Sequence, residues 1–298
     1  MASHPTAAAW RALSAASLAR AYSPSSCIGG NYQPFLQAYA ERSAQARAML
    51  PWQTHRCGPA PAQRLDLFLP PAAAAGGKPP PLLVFIHGGY WQELSKDPSA
   101  FAALDCVQQG IAHAVIDYTL APQATLPQIV AECRQALRWL HSQAGALGFD
   151  ADRIVVAGSS AGAHLAAMVA LPGASPGGDE CSAGCVRATV LVSGIFELEP
   201  LLGTPINAAL GLTLPVARAM SPALQPLAGF APSIVCWGAV ETEEFKRQGR
   251  DFAAALRVAG TPCPAFEVPG RNHFDIVLDL ARPGTLLGQA VLGLLRGG

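Results

Sequence analysis

Residues 153–171 of this chain read RIVVAGSSAGAHLAAMVAL, with Ser160 at the centre of a Gly-x-Ser-x-Gly pattern. The apolar, β-branched run at 153–158 predicts a buried strand, and residues 163–171 predict a helix directly after it. Small residues on both sides of Ser160 allow a sharp turn between the two elements. The pattern therefore predicts that the Ser160 hydroxyl stands clear of a sheet edge, where it can act as a nucleophile.

A second Gly-x-Ser-x-Gly pattern occurs at residues 173–177. It follows no strand, and Pro176 has no N–H group that could donate to an oxyanion. We therefore reject Ser175 as a nucleophile. For Ser160 the alternative interpretation is a serine that only caps its helix.

Apolar runs and helical patterns alternate along the rest of the chain, which predicts an α/β fold with a mostly parallel central sheet and helices on both faces. Residues 64–69 are expected to form an antiparallel edge strand. We predict a helical extension at 1–60 that packs on or caps a catalytic domain at 61–298, with a candidate cap insertion near 195–232. The other predicted strands are 82–87, 112–118, 188–193, 233–238 and 265–268, and the other predicted helices are 126–146, 242–259 and 284–296.

The overall composition indicates a protein that acts on small molecules. Half of the residues are hydrophobic, and 20 acidic residues balance 20 basic ones, so no basic face for nucleic acid is indicated. No apolar run is long enough to cross a membrane, and we expect a cytoplasmic protein without membrane contact. Homodimer formation is left open.

The eight cysteines are scattered, and we expect them to be reduced. Only Cys181 and Cys185 are close together, and no second Cys or His pair completes a zinc site around them. We expect neither a metal nor an organic cofactor.

A glycine-rich loop, His87-Gly88-Gly89-Tyr90-Trp91, follows the strand predicted at 82–87. Glycines at a strand end allow the backbone to fold under a substrate and present its N–H groups. We predict that Gly89 and Tyr90 donate to an oxyanion together with Ala161. Further residues expected around the substrate pocket are Gly88, Trp91, Ser159 and Phe274.

His273 is the candidate general base because it follows the last predicted strand. His87 lies at a strand end before the glycine-rich loop, and we interpret it as a structural brace. His164 comes one helical turn after Ser160, but the turn points the serine away from its own helix.

The acid that orients the base should follow the strand predicted at 233–238, and Glu241 is the first carboxylate there. Asp275 is too close to His273 along the chain to orient it well. The chain order Ser160, Glu241, His273 is the order that this kind of site requires. Alternatives that stay open for the acid are Glu243, Glu244, Glu197 and Glu199.

These residues resemble the α/β-hydrolase superfamily over roughly residues 60–298. Within it, the sequence HGGYW at 87–91 resembles the oxyanion motif of kynurenine formamidases (arylformamidases), whereas hormone-sensitive-lipase-like esterases usually carry HGGG. The segments at 160–166, 241–248 and 272–275 are similar to the nucleophile, acid and histidine segments of the same family. Two departures are Ser159, where family members often have His, and Glu241, where they often have Asp.

The resemblance implies a serine hydrolase of tryptophan catabolism that cleaves an aryl formamide such as N-formyl-kynurenine. Ser160 would attack the carbonyl carbon, His273 would accept its proton, and Glu241 would hold the imidazole. Tyr90, Trp91 and Phe274 would form aromatic walls for an aryl leaving group. The alternatives are a short-acyl carboxylesterase of broad specificity and a non-catalytic ligand-binding homologue.

Overall fold

The computed structural model of the chain describes residues 9–71, 78–172 and 184–297. Eight strands in these ranges form one sheet with the order β1-β2-β4-β3-β5-β6-β7-β8. β1 and β2 run antiparallel to their neighbours, and the strands from β3 to β8 are parallel to one another. The strands are β1 Trp52–Arg56, β2 Arg64–Phe68, β3 Leu82–Ile86, β4 Ala112–Ile116, β5 Ile154–Ser159, β6 Ala188–Val192, β7 Ser233–Val240 and β8 Ala265–Asn272.

Helices cover both faces of the sheet, which confirms the predicted fold class. The α-helices are α1 Ala15–Ala21, α2 Gln33–Met49, α3 Ala103–Gln108, α4 Leu126–Leu147, α5 Ala161–Val169, α6 Asn207–Leu210, α7 Leu214–Ala219, α8 Glu243–Val258 and α9 Leu286–Arg296. Short 3-10 helices are Ala9–Ala12, Pro24–Cys27, Asp97–Ser99, Ala151–Arg153, Glu199–Gly203, Pro222–Leu224 and Ile276–Asp279.

The alternation of side chains along β3 divides the interior into two hydrophobic cores. Leu82, Val84 and Ile86 point to the core under α4, α5 and α8. Leu83 and Phe85 point to the opposite core, under α2, α3 and α9. Successive residues of a strand face opposite sides of a sheet, so a strand covered by helices on both faces is apolar throughout.

The structure corrects the prediction for the first 60 residues. They are not helical to their end, because Trp52–Arg56 form β1 and pair with β2 from Trp52 opposite Phe68 to Arg56 opposite Arg64. The strand at Arg64–Phe68 is antiparallel as predicted, but it is not an edge strand, because β1 lies outside it.

Cys185 is disulfide-bonded, so the expectation of reduced cysteines is wrong at this position. Six further cysteines are free, and five of them are buried. Cys181 and the rejected serine pattern at 173–177 lie outside the described residues. Within the described ranges, no helix combines the length and the apolar character that a bilayer crossing needs.

Two glycines make the turn between β5 and α5 possible. A Cβ atom at Gly158 would lie 2.1 Å from the Gly162 carbonyl oxygen, and a Cβ atom at Gly162 would lie 2.0 Å from the Ile86 carbonyl oxygen. Both distances are far below van der Waals contact with rigid backbone atoms. The glycines of the pattern therefore let α5 pack directly against β3 and β5, and this contact positions Ser160.

We expect Gly162→Ala to lower the free energy of unfolding by about 2–3 kcal/mol or to prevent folding, because backbone must move to admit the methyl group. The matched control is Gly145→Ala on the exposed face of α4, where a Cβ atom has no neighbour within 4 Å. That change should raise stability by up to about 1 kcal/mol. Urea unfolding of both variants measures the difference, and equal stabilities would contradict the steric account.

Candidate active site

Ser160 occupies the turn between β5 and α5 with a strained backbone. Its φ and ψ angles are 57° and −122°, a positive φ that residues with a side chain rarely adopt. Three backbone hydrogen bonds hold it: Ser160 N donates to Val192 O at 2.9 Å, and Ser160 O accepts from Ala163 N at 3.0 Å and from His164 N at 3.2 Å. The side chain thereby reaches a cavity at the carboxyl ends of the parallel strands, where Ser159 also lies.

The Glu241 carboxylate contacts the imidazole of His273 directly. His273 Nδ1 lies 3.0 Å from Glu241 Oε2. The other carboxylate oxygen accepts hydrogen bonds from Ser193 Oγ at 2.6 Å and from Gly238 N at 2.5 Å. A carboxylate can only accept, so Nδ1 of His273 donates to it, and Nε2 is the ring nitrogen that can take a proton.

His273 and Ser160 line the same cavity. Within the described ranges, no hydrogen bond joins Ser160 Oγ to the imidazole. Catalytic hydrogen bonds are often long in ligand-free sites and tighten when substrate binds. The structure thus places both side chains at one cavity, without a direct hydrogen bond between them in the described part of the chain.

The other carboxylates considered from the sequence are committed to different partners. Glu244 accepts from Arg247 Nη2 at 2.8 Å, and Glu243 lies on the surface with Arg250 Nη2 at 3.1 Å. Glu199 pairs with Arg11 and Arg218. Among the described residues, Glu241 is the only carboxylate that contacts the His273 ring. The remaining candidates are also placed elsewhere: Glu197 lies 3.5 Å from Arg247, and Asp275 accepts from the backbone of Asn272.

The loop predicted to supply oxyanion donors packs against the nucleophile. A Cβ atom at Gly88 would lie 2.8 Å from Ser159 O and 3.3 Å from Ser160 Cβ, so only glycine allows this approach. Gly89 and Tyr90 both have positive φ, at 92° and 51°. Ala161 is buried and is the first residue of α5. Gly88, Gly89 and Tyr90 line the cavity beside Ser160.

His87 lines the cavity and braces this loop. Its Nε2 lies 3.1 Å from Asp117 Oδ1, and its ring stacks on Tyr118 with centroids 4.3 Å apart. The Tyr118 hydroxyl donates to His87 O at 3.0 Å. These contacts fix the start of the loop and the position of the His87 ring.

The prediction that Trp91 lines the pocket is wrong. Trp91 has a φ of 61°, is fully buried, and donates from Nε1 to His164 Nδ1 at 3.2 Å. Its side chain belongs to the hydrophobic core and is not among the residues that line the cavity. Burial lowers the pKa of His164 to about 4, so the ring is neutral, accepts from Trp91, and donates from Nε2 to Met220 O at 2.7 Å.

The cavity has a volume of about 520 Å³, a size that suits a drug-sized ligand. Phe274 lines it as predicted, and its ring stacks on Tyr32 with centroids 5.3 Å apart. Other wall residues come from the N-terminal segment, predicted to pack on or cap the catalytic domain, and from the segment near 205, within the candidate cap insertion at 195–232. No motif singled out the individual residues. These residues are Ala19, Tyr22, Ser23, Pro24, Ser25, Tyr32, Leu36, Tyr39, Pro205 and Ile206.

The N-terminal segment also ties the glycine-rich loop to the segment that follows Glu241. Tyr90 Oη donates to Tyr22 O at 2.5 Å, and Thr242 Oγ1 donates to Ala21 O at 2.6 Å. The Tyr22 hydroxyl donates to Glu244 Oε2 at 3.0 Å. Burial raises the pKa of Tyr22, which keeps this hydroxyl protonated as a donor. Tyr22 therefore bridges the two halves of the site.

The arrangement is suited to acyl transfer. A serine on a strained turn, an imidazole held by a buried carboxylate, and a loop packed against the serine are the parts of a nucleophilic hydrolase site. In the described part of the chain, no group of three His, Cys, Asp or Glu residues is arranged to hold a metal ion.

Comparison with known proteins places the chain among esterases and formamidases. The BD-FAE family model matches residues 65–198. A kynurenine formamidase of Danio rerio is 30% identical over 96% of this chain and 98% of its own length. Esterase LipQ of Mycobacterium tuberculosis is 29% identical over 65% of this chain and 50% of its own length.

Solved structures agree with this placement. A protein from Silicibacter sp. TM1040, provisionally described as a thioesterase, superposes with a TM-score of 0.79 and 28% identity, covering 92% of this chain and 98% of its own. Esterase LipW from Mycobacterium marinum superposes with a TM-score of 0.67 over 88% of this chain and 86% of its own. At 22% identity, that second likeness concerns the fold alone.

We expect Tyr90→Phe to slow the reaction of Ser160 with a fluorophosphonate by about 10-fold, because losing one hydrogen bond costs on the order of 1 kcal/mol and frees the loop. Tyr32→Phe is the matched control, because it keeps the ring that stacks on Phe274. Mass spectrometry of the labelled serine measures both rates. Equal rates in the two variants would show that the contact between Tyr90 and Tyr22 does not position the loop.

Proposed function

This chain belongs to the family of kynurenine formamidases and related esterases with the α/β-hydrolase fold, and it is a hydrolase; we propose that its substrate is an aryl formamide such as N-formyl-kynurenine. The observation that carries the proposal is the joint placement of Ser160 and the Glu241-held His273 on one aromatic-walled cavity. The HGGYW sequence at 87–91 supports the formamide over other acyl compounds.

In the proposed reaction, Ser160 Oγ attacks the formyl carbon while His273 Nε2 accepts the hydroxyl proton. Glu241 holds the ring and stabilises the imidazolium charge that forms. The N–H groups of Gly89, Tyr90 and Ala161 bind the oxyanion, and one such donor is typically worth ~3 kcal/mol of transition-state stabilisation.

The second half of the reaction reuses the same imidazole. His273 returns its proton to the departing aryl amine, which leaves Ser160 as a formyl ester. Water then attacks the ester carbon while His273 takes a proton from it, and formate is released. The enzyme ends in its starting protonation state.

The cavity supports an aryl leaving group. The rings of Tyr32 and Phe274 are stacked almost parallel, with an angle of 9° between their planes, at the cavity wall. Flat aromatic surfaces of this kind bind aryl groups by offset stacking. A formyl group needs little room, so most of the volume is available to the amine portion.

A second candidate is a short-acyl carboxylesterase, because the same three side chains would serve an ester and several relatives carry esterase names. The non-catalytic alternative is disfavoured by the contact between Glu241 and His273, which a binding protein does not need.

Steady-state kinetics with N-formyl-kynurenine, formanilide, phenyl acetate and p-nitrophenyl butyrate test the proposal. We expect kcat/KM for N-formyl-kynurenine to exceed that for the esters by about 10-fold or more, although an ester is intrinsically easier to cleave, because transition-state binding decides specificity. Faster cleavage of both esters than of both formamides would favour the carboxylesterase instead.

A further inference from the structure

We propose that this cavity selects substrates by charge: it favours leaving groups that carry an ammonium group, with Glu93 as the residue that receives it, and it disfavours anionic ones. The proposal rests on the proposed function and adds the charge class of the substrate to it.

The cavity offers no fixed positive charge. All 20 lysines and arginines of the chain fall within residues 9–71, 78–172 and 184–297, and none of them lines the cavity. Those on neighbouring segments are paired elsewhere: Lys96 with Asp66 and Asp97, and Arg247 with Glu244. A carboxylate that entered the cavity would lose its hydration without gaining a cation.

Glu93 is the acidic residue among the cavity-lining residues. Its backbone N–H donates to Gly89 O at 3.0 Å, which fixes it at the end of the glycine-rich loop. The residue is exposed, and no Lys, Arg or His of the described ranges lies within ion-pair distance of its carboxylate. Its charge is therefore available to a ligand that bears a cation.

The aromatic residues of the cavity also favour a cationic substrate. Tyr22, Tyr32, Tyr39, Tyr90 and Phe274 all line the cavity. The faces of aromatic rings attract cations, by about 0.5–1 kcal/mol at exposed sites and more when water is excluded. The lining thus offers aromatic rings and one carboxylate, the two kinds of group that attract an ammonium group attached to an aryl group.

A substrate that carries both an ammonium and a carboxylate group would bind in one orientation. Its ammonium group would face Glu93, and its carboxylate would remain in water at the cavity mouth. Arg20 is exposed and follows Ala19, a lining residue, so it is the cation to test as an alternative partner for that carboxylate.

Three formanilides of matched size, with an ethyl, an aminoethyl or a carboxyethyl substituent, test the proposal at low ionic strength. We expect kcat/KM for the aminoethyl compound to exceed that for the ethyl compound by about 5-fold, as an exposed ion pair allows. The carboxyethyl compound should be at least about 10-fold poorer than the ethyl compound, since its carboxylate loses water without a partner.

Two variants test which residue causes the charge preference. Glu93→Gln should remove the preference for the aminoethyl over the ethyl compound when both are measured with the variant itself, and its thermal unfolding midpoint shows that it is folded. Arg20→Gln should change none of the three values. The proposal is overturned if the wild-type protein prefers the carboxyethyl compound, if Glu93→Gln keeps the cation preference, or if Arg20→Gln weakens carboxyethyl hydrolysis.

The same assays distinguish a wrong substrate class from a wrong charge proposal. If no formanilide is cleaved while phenyl acetate is, the formamide function is wrong. The same three substituents on phenyl acetate then decide the charge proposal by the same criteria.

Discussion

The hydrogen bond between Glu241 and His273 is the interaction on which the site depends. It joins the segment after β7 to the end of β8, and Ser193, which follows β6, donates to the same carboxylate. A buried carboxylate is costly unless its oxygens accept hydrogen bonds, and here Ser193, Gly238 and His273 supply them. The parallel order β5-β6-β7-β8 brings these strand ends together along one sheet edge beside Ser160.

The N-terminal segment completes the site, although it lies outside the sheet. Its residues form one wall of the cavity, and Tyr22 bridges the glycine-rich loop and the segment after Glu241. Tyr39 donates to the carbonyl oxygen of Phe274, the residue after His273. The extension thus holds the loops that carry the proposed oxyanion donors and the proposed base.

The sequence predicted the central strands and the joint location of Ser160, Glu241 and His273, because buried strands have a local apolar signature and residues after parallel strands meet at one edge. It did not predict β1. Trp52–Arg56 are mostly exposed, and they form a strand only because β2 offers a pairing partner. Tyr22 was also missed, because its hydrogen-bond partners lie more than 60 residues away along the chain. Trp91 was misplaced because its hydrogen-bond partner in the core, His164, lies 73 residues away along the chain.

The central claim is that Glu241 acts on Ser160 through His273, and substitution of neighbouring glutamates tests it most directly. Glu241→Gln keeps the size of the side chain and removes its charge, and we expect kcat to fall by about 10³-fold or more. Glu243→Gln, two residues away on the surface, should leave kcat within about 2-fold of the wild-type value because exposed charges contribute little. Wild-type kcat in folded Glu241→Gln, or equal losses in both variants, would contradict the claim.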